Sequence, residues 1–232
     1  MLISGIQPFT ILDFPDRIAC IVFTLGCNFR CGYCHNPEFV LPQKVQELRK
    51  SVISEETFFR FLSMRRNLLE GVVVSGGEPT IHKDLPEFIA RIKKNGFFVK
   101  LDTNGSHPEM LQKLIKDQLL DYIAMDVKTG IHQYQTLVGR TVPAIEKTIG
   151  ILRDSCVAYE FRCTLVREIH TPSILSQMAR MMHGARKVYL QQFRNQTTLD
   201  PRFESYHSFS PEEMEGIKNI FTPYCEEVVL RT

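Results

Sequence analysis

The 232-residue chain is 44% hydrophobic and 23% charged, with a net charge of +2 and no basic block or acidic tail. That is enough apolar material for one sizeable domain, and the charge gives no reason to expect a nucleic-acid or membrane partner. No apolar run approaches the ~20 residues of a membrane span, the N-terminus lacks a signal-peptide pattern, and seven cysteines, an odd number, fit a reducing cytoplasm better than a disulfide framework.

Residues 1–17 read as a short strand and turns, with Pro8, Asp13, Pro15 and Asp16 as breakers. The apolar run Ile18–Thr24 predicts a buried strand, followed by a loop over residues 25–36 and a linker through Pro37 and Pro42. Ser54 is a candidate N-cap for a helix over 55–69, whose apolar face carries Phe58, Phe61, Leu62, Leu68 and Leu69. A second strand over 71–75 ends in Gly76-Gly77-Glu78-Pro79. A helix across Leu85–Lys94 stops at Gly96. A third strand over 97–101 ends in Asp102-Thr103-Asn104-Gly105, and a helix begins near Pro108. A fourth strand over 121–125 ends in Asp126-Val127-Lys128.

Further on come a helix over about 143–154 with Pro143 in its first turn, a strand over 158–166, a helix over 173–183 and a strand over 187–193. Ser210-Pro211-Glu212-Glu213 forms a capping box for a last helix, and 227–230 are compatible with a closing strand. Six strands alternating with helices imply right-handed parallel βαβ units. Polar clusters end five of them, and in a parallel barrel those ends face one mouth. The expected fold is α/β, a partial parallel (β/α)6 TIM-type barrel forming a single domain over residues 1–232.

The chemistry concentrates in Cys27-Asn28-Phe29-Arg30-Cys31-Gly32-Tyr33-Cys34-His35-Asn36. Three thiols within eight residues are soft ligands suited to iron–sulfur clusters or zinc. A cubane cluster ordinarily takes four cysteines, so either a fourth ligand comes from elsewhere or one metal stays open to a substrate. Other readings compete. Cys31-Gly32-Tyr33-Cys34-His35 has the form of a c-type haem attachment site, and Cys31 with Cys34 resembles a thioredoxin-like pair. Zinc could take the three thiols and a distant histidine. Cys20, Cys156, Cys163 and Cys225 are isolated and read as core or surface thiols.

Gly76 and Gly77 allow a backbone to approach a ligand closely, although a plain strand-to-helix turn uses the same residues. Asp102 and Asp126, at neighbouring strand ends, could accept hydrogen bonds from a ribose or cap the following turns. Lys128 could pair with Asp126 or hold a carboxylate. Arg162 interrupts an apolar strand, so an inward guanidinium needs an anion, while an outward one would snorkel. Gln191, Gln192 and Arg194 end the sixth predicted strand with no assigned role.

The full C-x3-C-x2-C pattern, with Ser75–Pro79, Leu101–Gly105, Asp126-Val127-Lys128, Phe161-Arg162, Arg167–Thr171 and Leu190–Arg194, resembles the radical S-adenosylmethionine activases over nearly the whole chain. The anaerobic ribonucleoside-triphosphate reductase-activating proteins are the nearest subgroup, and the pyruvate formate-lyase-activating enzymes are similar. The resemblance implies that Cys27, Cys31 and Cys34 bind three irons of a [4Fe-4S] cluster, and that S-adenosyl-L-methionine chelates the fourth. It implies that Tyr33 lies beside the adenine, that Gly76, Gly77 and Glu78 frame the amino group, and that Asp102, Thr103, Asp126 and Lys128 contact the same molecule. Asn36 and Arg162 are further implied contacts.

The implied activity is reductive cleavage of S-adenosylmethionine to methionine and a 5′-deoxyadenosyl radical, which takes hydrogen from a glycine of a partner enzyme. The implied partner is a glycyl-radical enzyme, anaerobic ribonucleoside-triphosphate reductase first among them, with a flavodoxin- or ferredoxin-type electron donor. Arg194 departs from the histidine that some pyruvate formate-lyase activators carry near that point. A radical enzyme acting on a small molecule, and a zinc or thiol-redox module, are the alternative functions.

Overall fold

The computed structural model describes residues 1–139 and 144–231. Eight strands lie side by side in chain order: β1 (Ile3–Thr10), β2 (Ala19–Thr24), β3 (Gly71–Gly76), β4 (Phe98–Thr103), β5 (Tyr122–Asp126), β6 (Ala158–Leu165), β7 (Ala185–Gln192) and β8 (Cys225–Arg231). The helices are α1 (Pro42–Leu48), α2 (Glu55–Met64), α3 (Leu85–Lys94), α4 (Pro108–Lys116), α5 (Tyr134–Val138), α6 (Ile145–Arg153), α7 (Pro172–Met181) and α8 (Pro211–Phe221). Pairs β2–β3, β3–β4, β6–β7 and β7–β8 are parallel, while β1 runs antiparallel to β2. The α/β expectation holds. The short strand expected within residues 1–17 and the closing strand expected at 227–230 are β1 and β8, which flank the six strands of the expected α/β units.

Residue contacts group into two compact units. The first comprises Met1–Asn28, Glu38–Thr103 and Glu109–Ile123. Its β3 buries Val72, Val73 and Val74 completely, as expected of a parallel strand covered on both faces. Phe58 of α2 and Phe88 of α3 meet at a ring separation of 5.4 Å, and Leu62, Leu85, Ile89 and Ile92 complete that apolar layer. The Ser54 hydroxyl caps α2 by accepting from the Thr57 N–H. That helix ends at Met64, short of residue 69, and leaves Leu68 65% exposed.

The second unit comprises Phe29–Pro37, Asn104–Pro108 and Ala124–Thr232. Phe161, Cys163, Val188 and Leu190 of its strands are fully buried, as are Met178, Met214 and Phe221 of α7 and α8. Both halves of the capping box at Ser210 and Glu213 are formed. Pro143, expected in the first turn of α6, lies outside the described residues. Two helices escaped the sequence reading. α1 buries no residue and so shows no apolar stripe, and α5 is a single short turn ended by Gly139 in the left-handed region, φ 75°. No helix among the described residues is long and apolar enough to cross a membrane.

Candidate active site

In the first unit, the ends of β2 and β3 converge through backbone contacts that only glycine permits. Gly76 has φ 118°, and a Cβ there would lie 2.3 Å from the Thr24 nitrogen. At Gly77 a Cβ would lie 2.0 Å from the Gly26 carbonyl oxygen. The chain passes close enough for the Gly77 N–H to donate to Thr24 O (3.0 Å) and the Glu78 N–H to Gly26 O (2.9 Å). The residue before Cys27 is thereby fastened to the Gly-Gly-Glu turn. The glycine pair acts here as a cradle for chain against chain.

Glu78 is 1% exposed. Its Oε1 accepts from the Thr80 N–H (3.1 Å), the Thr80 hydroxyl and the Thr103 hydroxyl (2.7 Å). Thr103, an expected ligand contact, therefore also braces this carboxylate. Asp102 takes the Lys100 ammonium at 2.6 Å and the Ser75 hydroxyl at 3.2 Å. Lys100 is 2% exposed and was not singled out from the sequence. Its signal was legible, because positions 100 and 102 of one strand share a face, and a lysine inside an apolar strand needs an anion.

In the second unit, the cysteine loop is stitched down by backbone bonds. The Cys34 N–H donates to Cys31 O (3.0 Å), Leu199 N–H to Cys34 O (2.9 Å), Asp200 N–H to Gly32 O (3.0 Å) and Arg30 N–H to Val138 O (2.9 Å). Tyr33 is buried with Val166, Phe193 and Phe203. Its hydroxyl is buried with no hydrogen-bond partner, and burial pushes its ionisation well up, with Cys31 and Asp126 adding to the rise. His35 stacks on Phe193 (5.8 Å, 9°) and its Nε2 lies 2.7 Å from the Arg194 carbonyl. Both His35 and the main chain of Arg194 thus serve the loop's conformation. Asn36 is exposed.

Asp126 ends β5 and faces two cations. Its Oδ1 accepts from Arg162 Nε and its Oδ2 from Lys128 Nζ, each at 2.8 Å. Burial alone would push this carboxyl up, but the Arg162 and Lys128 charges outweigh it and hold the carboxyl well below the usual range. Burial pulls the Lys128 ammonium down, and Asp126 with Cys31 outweighs that and raises it. The inward reading of Arg162, with an anion to satisfy it, is the one observed. Tyr134 and His170, which hold the Lys128 main chain, were not anticipated.

None of the seven cysteines is in a disulfide. Burial pushes Cys20 up to about 12 and Cys225 up to about 11, so both remain protonated fillers at neutral pH. Cys163 is fully buried and raised likewise, whereas Cys156 is exposed on its own. These four match the expectation of isolated thiols. Thiolates such as those of Cys27, Cys31 and Cys34, three within eight residues of the chain, are of the ligand type that iron–sulfur clusters take.

Comparison with known proteins agrees with this chemistry. Residues 21–164 match the Radical SAM superfamily, and the chain belongs to that superfamily. Its members use a [4Fe-4S] cluster and S-adenosylmethionine. A Methanocaldococcus jannaschii protein whose name gives it as a glycyl-radical enzyme activating enzyme is 32% identical, over all of this chain and 96% of its own length. The pyruvate formate-lyase-activating enzyme of Staphylococcus aureus is 34% identical over 47% of this chain and 45% of that protein, so this second likeness spans less than half its length. Among solved structures, a domain of pyruvate-formate lyase-activating enzyme from Bacteroides vulgatus superposes with a TM-score of 0.58 at 18% identity, covering 70% of this chain and 99% of that one. That likeness concerns the fold.

Proposed function

We propose that the chain is a glycyl-radical-enzyme activase, with anaerobic ribonucleoside-triphosphate reductase as its first candidate partner and a flavodoxin- or ferredoxin-type protein as electron donor. The observation that carries this reading is the end-to-end likeness to the M. jannaschii activating enzyme, 32% identical across the whole chain. It extends well past the shared superfamily segment, through the Arg167–Thr171 and Leu190–Arg194 stretches. Seven cysteines with no disulfide among them suit the reducing cytoplasm in which such a protein would work.

Cys27, Cys31 and Cys34 would hold the cluster. The cluster with S-adenosylmethionine supplies one-electron cleavage of a carbon–sulfur bond, giving a 5′-deoxyadenosyl radical. The protein's own residues bind and orient. Glu78, whose Oε1 accepts from the Thr80 N–H and the Thr80 and Thr103 hydroxyls, would meet an ammonium such as the methionine amino group. Gly76 and Gly77 leave no side chain in its way. Asp102 and Thr103 would meet the ribose hydroxyls. Lys128 and Arg162, gathered by Asp126, offer positive charge and donors to the carboxylate end. Tyr33 supplies an aromatic body and an unpartnered hydroxyl for the adenine, and Asn36 is a softer contact at the loop's exit.

The test is anaerobic reconstitution, reduction, and incubation with S-adenosylmethionine and the reductase, followed by electron paramagnetic resonance. A glycyl-radical doublet that requires S-adenosylmethionine and vanishes when the partner's radical glycine is replaced by alanine is the expected result. A reduced cluster signal indifferent to S-adenosylmethionine would sink the radical reading. A signal that responds to it, with no radical on the reductase but one on pyruvate formate-lyase, would move the partner alone.

A further inference from the structure

Lys128 lies just past the end of β5, on a four-carbon stem that could place its ammonium in many positions. Its main chain, by contrast, is held at both ends. The Lys128 N–H donates to the Tyr134 hydroxyl at 2.9 Å, and the Lys128 carbonyl faces His170 Nε2 at 3.0 Å. Tyr134 begins α5, six positions on. His170 comes from the turn between β6 and α7, 42 positions on. Both side chains are 1% exposed, so neither bond competes with water.

The His170 proton can be placed. The Val166 N–H donates to Nδ1 at 2.9 Å, and burial lowers the ring's proton affinity and keeps it neutral. A neutral ring with its lone pair on Nδ1 carries its proton on Nε2, aimed at the Lys128 carbonyl. The opposite tautomer could give its Nδ1 proton to the Val166 carbonyl, 3.1 Å away, but would turn an Nε2 lone pair against the Lys128 carbonyl and leave the Val166 N–H without this acceptor. Two buried side chains from distant segments therefore converge on one residue, which itself joins Arg162 in holding Asp126.

We propose that His170 and Tyr134 are positioning residues that clamp the main chain of Lys128 and so fix its ammonium for S-adenosylmethionine. Neither touches the reacting molecule in this scheme; both act through Lys128. The inference rests on the reading of Lys128 as a contact for S-adenosylmethionine. Packing alone would need only rings of this size. The clamp needs an acceptor at Tyr134 and a donor at the far end of residue 170.

The experiment compares His170→Gln, His170→Asn, Tyr134→Phe and Lys128→Met in anaerobically reconstituted protein. Glutamine can place an amide N–H near the Nε2 position, whereas asparagine reaches only the Nδ1 position. Calorimetric binding of S-adenosylmethionine should weaken about tenfold in His170→Asn and Tyr134→Phe, as loss of one buried hydrogen bond implies, and should stay within about twofold of the parent in His170→Gln. Iron content should be unchanged in all of them. Independently of any ligand, hydrogen exchange at the Lys128 amide should accelerate in Tyr134→Phe. Equal weakening by glutamine and asparagine, or an unaltered Lys128 amide in Tyr134→Phe, overturns the clamp even where one histidine variant fails to fold. Unaltered affinity in Lys128→Met instead overturns the contact reading, and with it the role of the clamp in binding.

Discussion

Two carboxylates, one in each unit, are held by opposite means. Glu78 is almost wholly buried and accepts from neutral donors, the Thr80 N–H and the Thr80 and Thr103 hydroxyls. Asp126, 28% exposed, accepts from two full charges, Arg162 and Lys128. Neutral donors orient a carboxylate without cancelling its charge. Cations cancel the charge of Asp126 and leave a net positive group, attractive to an incoming carboxylate. Asp102 combines both kinds of partner, accepting from the Lys100 ammonium and from the Ser75 hydroxyl.

Neutralising each carboxylate breaks this contrast to a different degree. Asp102→Asn should be the most costly, about 3 kcal/mol, because it strands the Lys100 ammonium, 2% exposed, without its anion. Urea unfolding of the reduced apoprotein would read this as a lower midpoint at unchanged slope. Asp126→Asn should cost less, about 2 kcal/mol, since Lys128 and Arg162, each 16% exposed, retain some access to water. Glu78→Gln should cost under about 1 kcal/mol, because the amide oxygen can still accept from all three donors. Its effect should fall on S-adenosylmethionine affinity instead, weakened about tenfold or more by loss of a charge-assisted bond. A Glu78→Gln protein that unfolds as readily as Asp102→Asn would show that the neutral-donor description of Glu78 is wrong.

The two regions also differ in how much of them could be read from the sequence. The Gly76-Gly77-Glu78 turn and Asp102 were legible because local pattern decides them: strand ends follow from apolar runs, and the glycines are required by a contact of under 3 Å to the neighbouring strand. Lys100 was legible in principle, through its two-residue offset from Asp102. The clamp on Lys128 was not. Tyr134 stands in a helix of five residues too short for a periodic signal. His170 acts across 42 positions, a pairing that no local pattern encodes. β1 was half-read, because Pro8 and a short alternation resemble a turn until β2 pairs with it. The orientation of Arg162 was likewise left open by the sequence, since an arginine in a strand serves equally as ion-pair partner or as snorkel.

The smallest expected effect concerns pH, and it sharpens the contrast further. In the folded protein Asp126 and His170 both titrate below their unfolded values, but in different windows. Between the folded and unfolded values the unfolded chain binds more protons, so stability falls as pH falls. For His170 that fall begins near an unfolded value of about 6.5, and for Asp126 near about 3.9. Each contribution is fully present above its unfolded value and is lost as pH drops through its folded one. Unfolding free energy of the apoprotein measured from about pH 8 to 2 should therefore decline first where His170 and His82, both lowered by burial, take up protons in the unfolded chain, and His170→Gln should lessen that early decline by up to about one proton while leaving the later acid limb. An early decline undiminished in His170→Gln would assign it wholly to other groups such as His82, and would remove the claim that His170 is held neutral by burial against the Lys128 carbonyl.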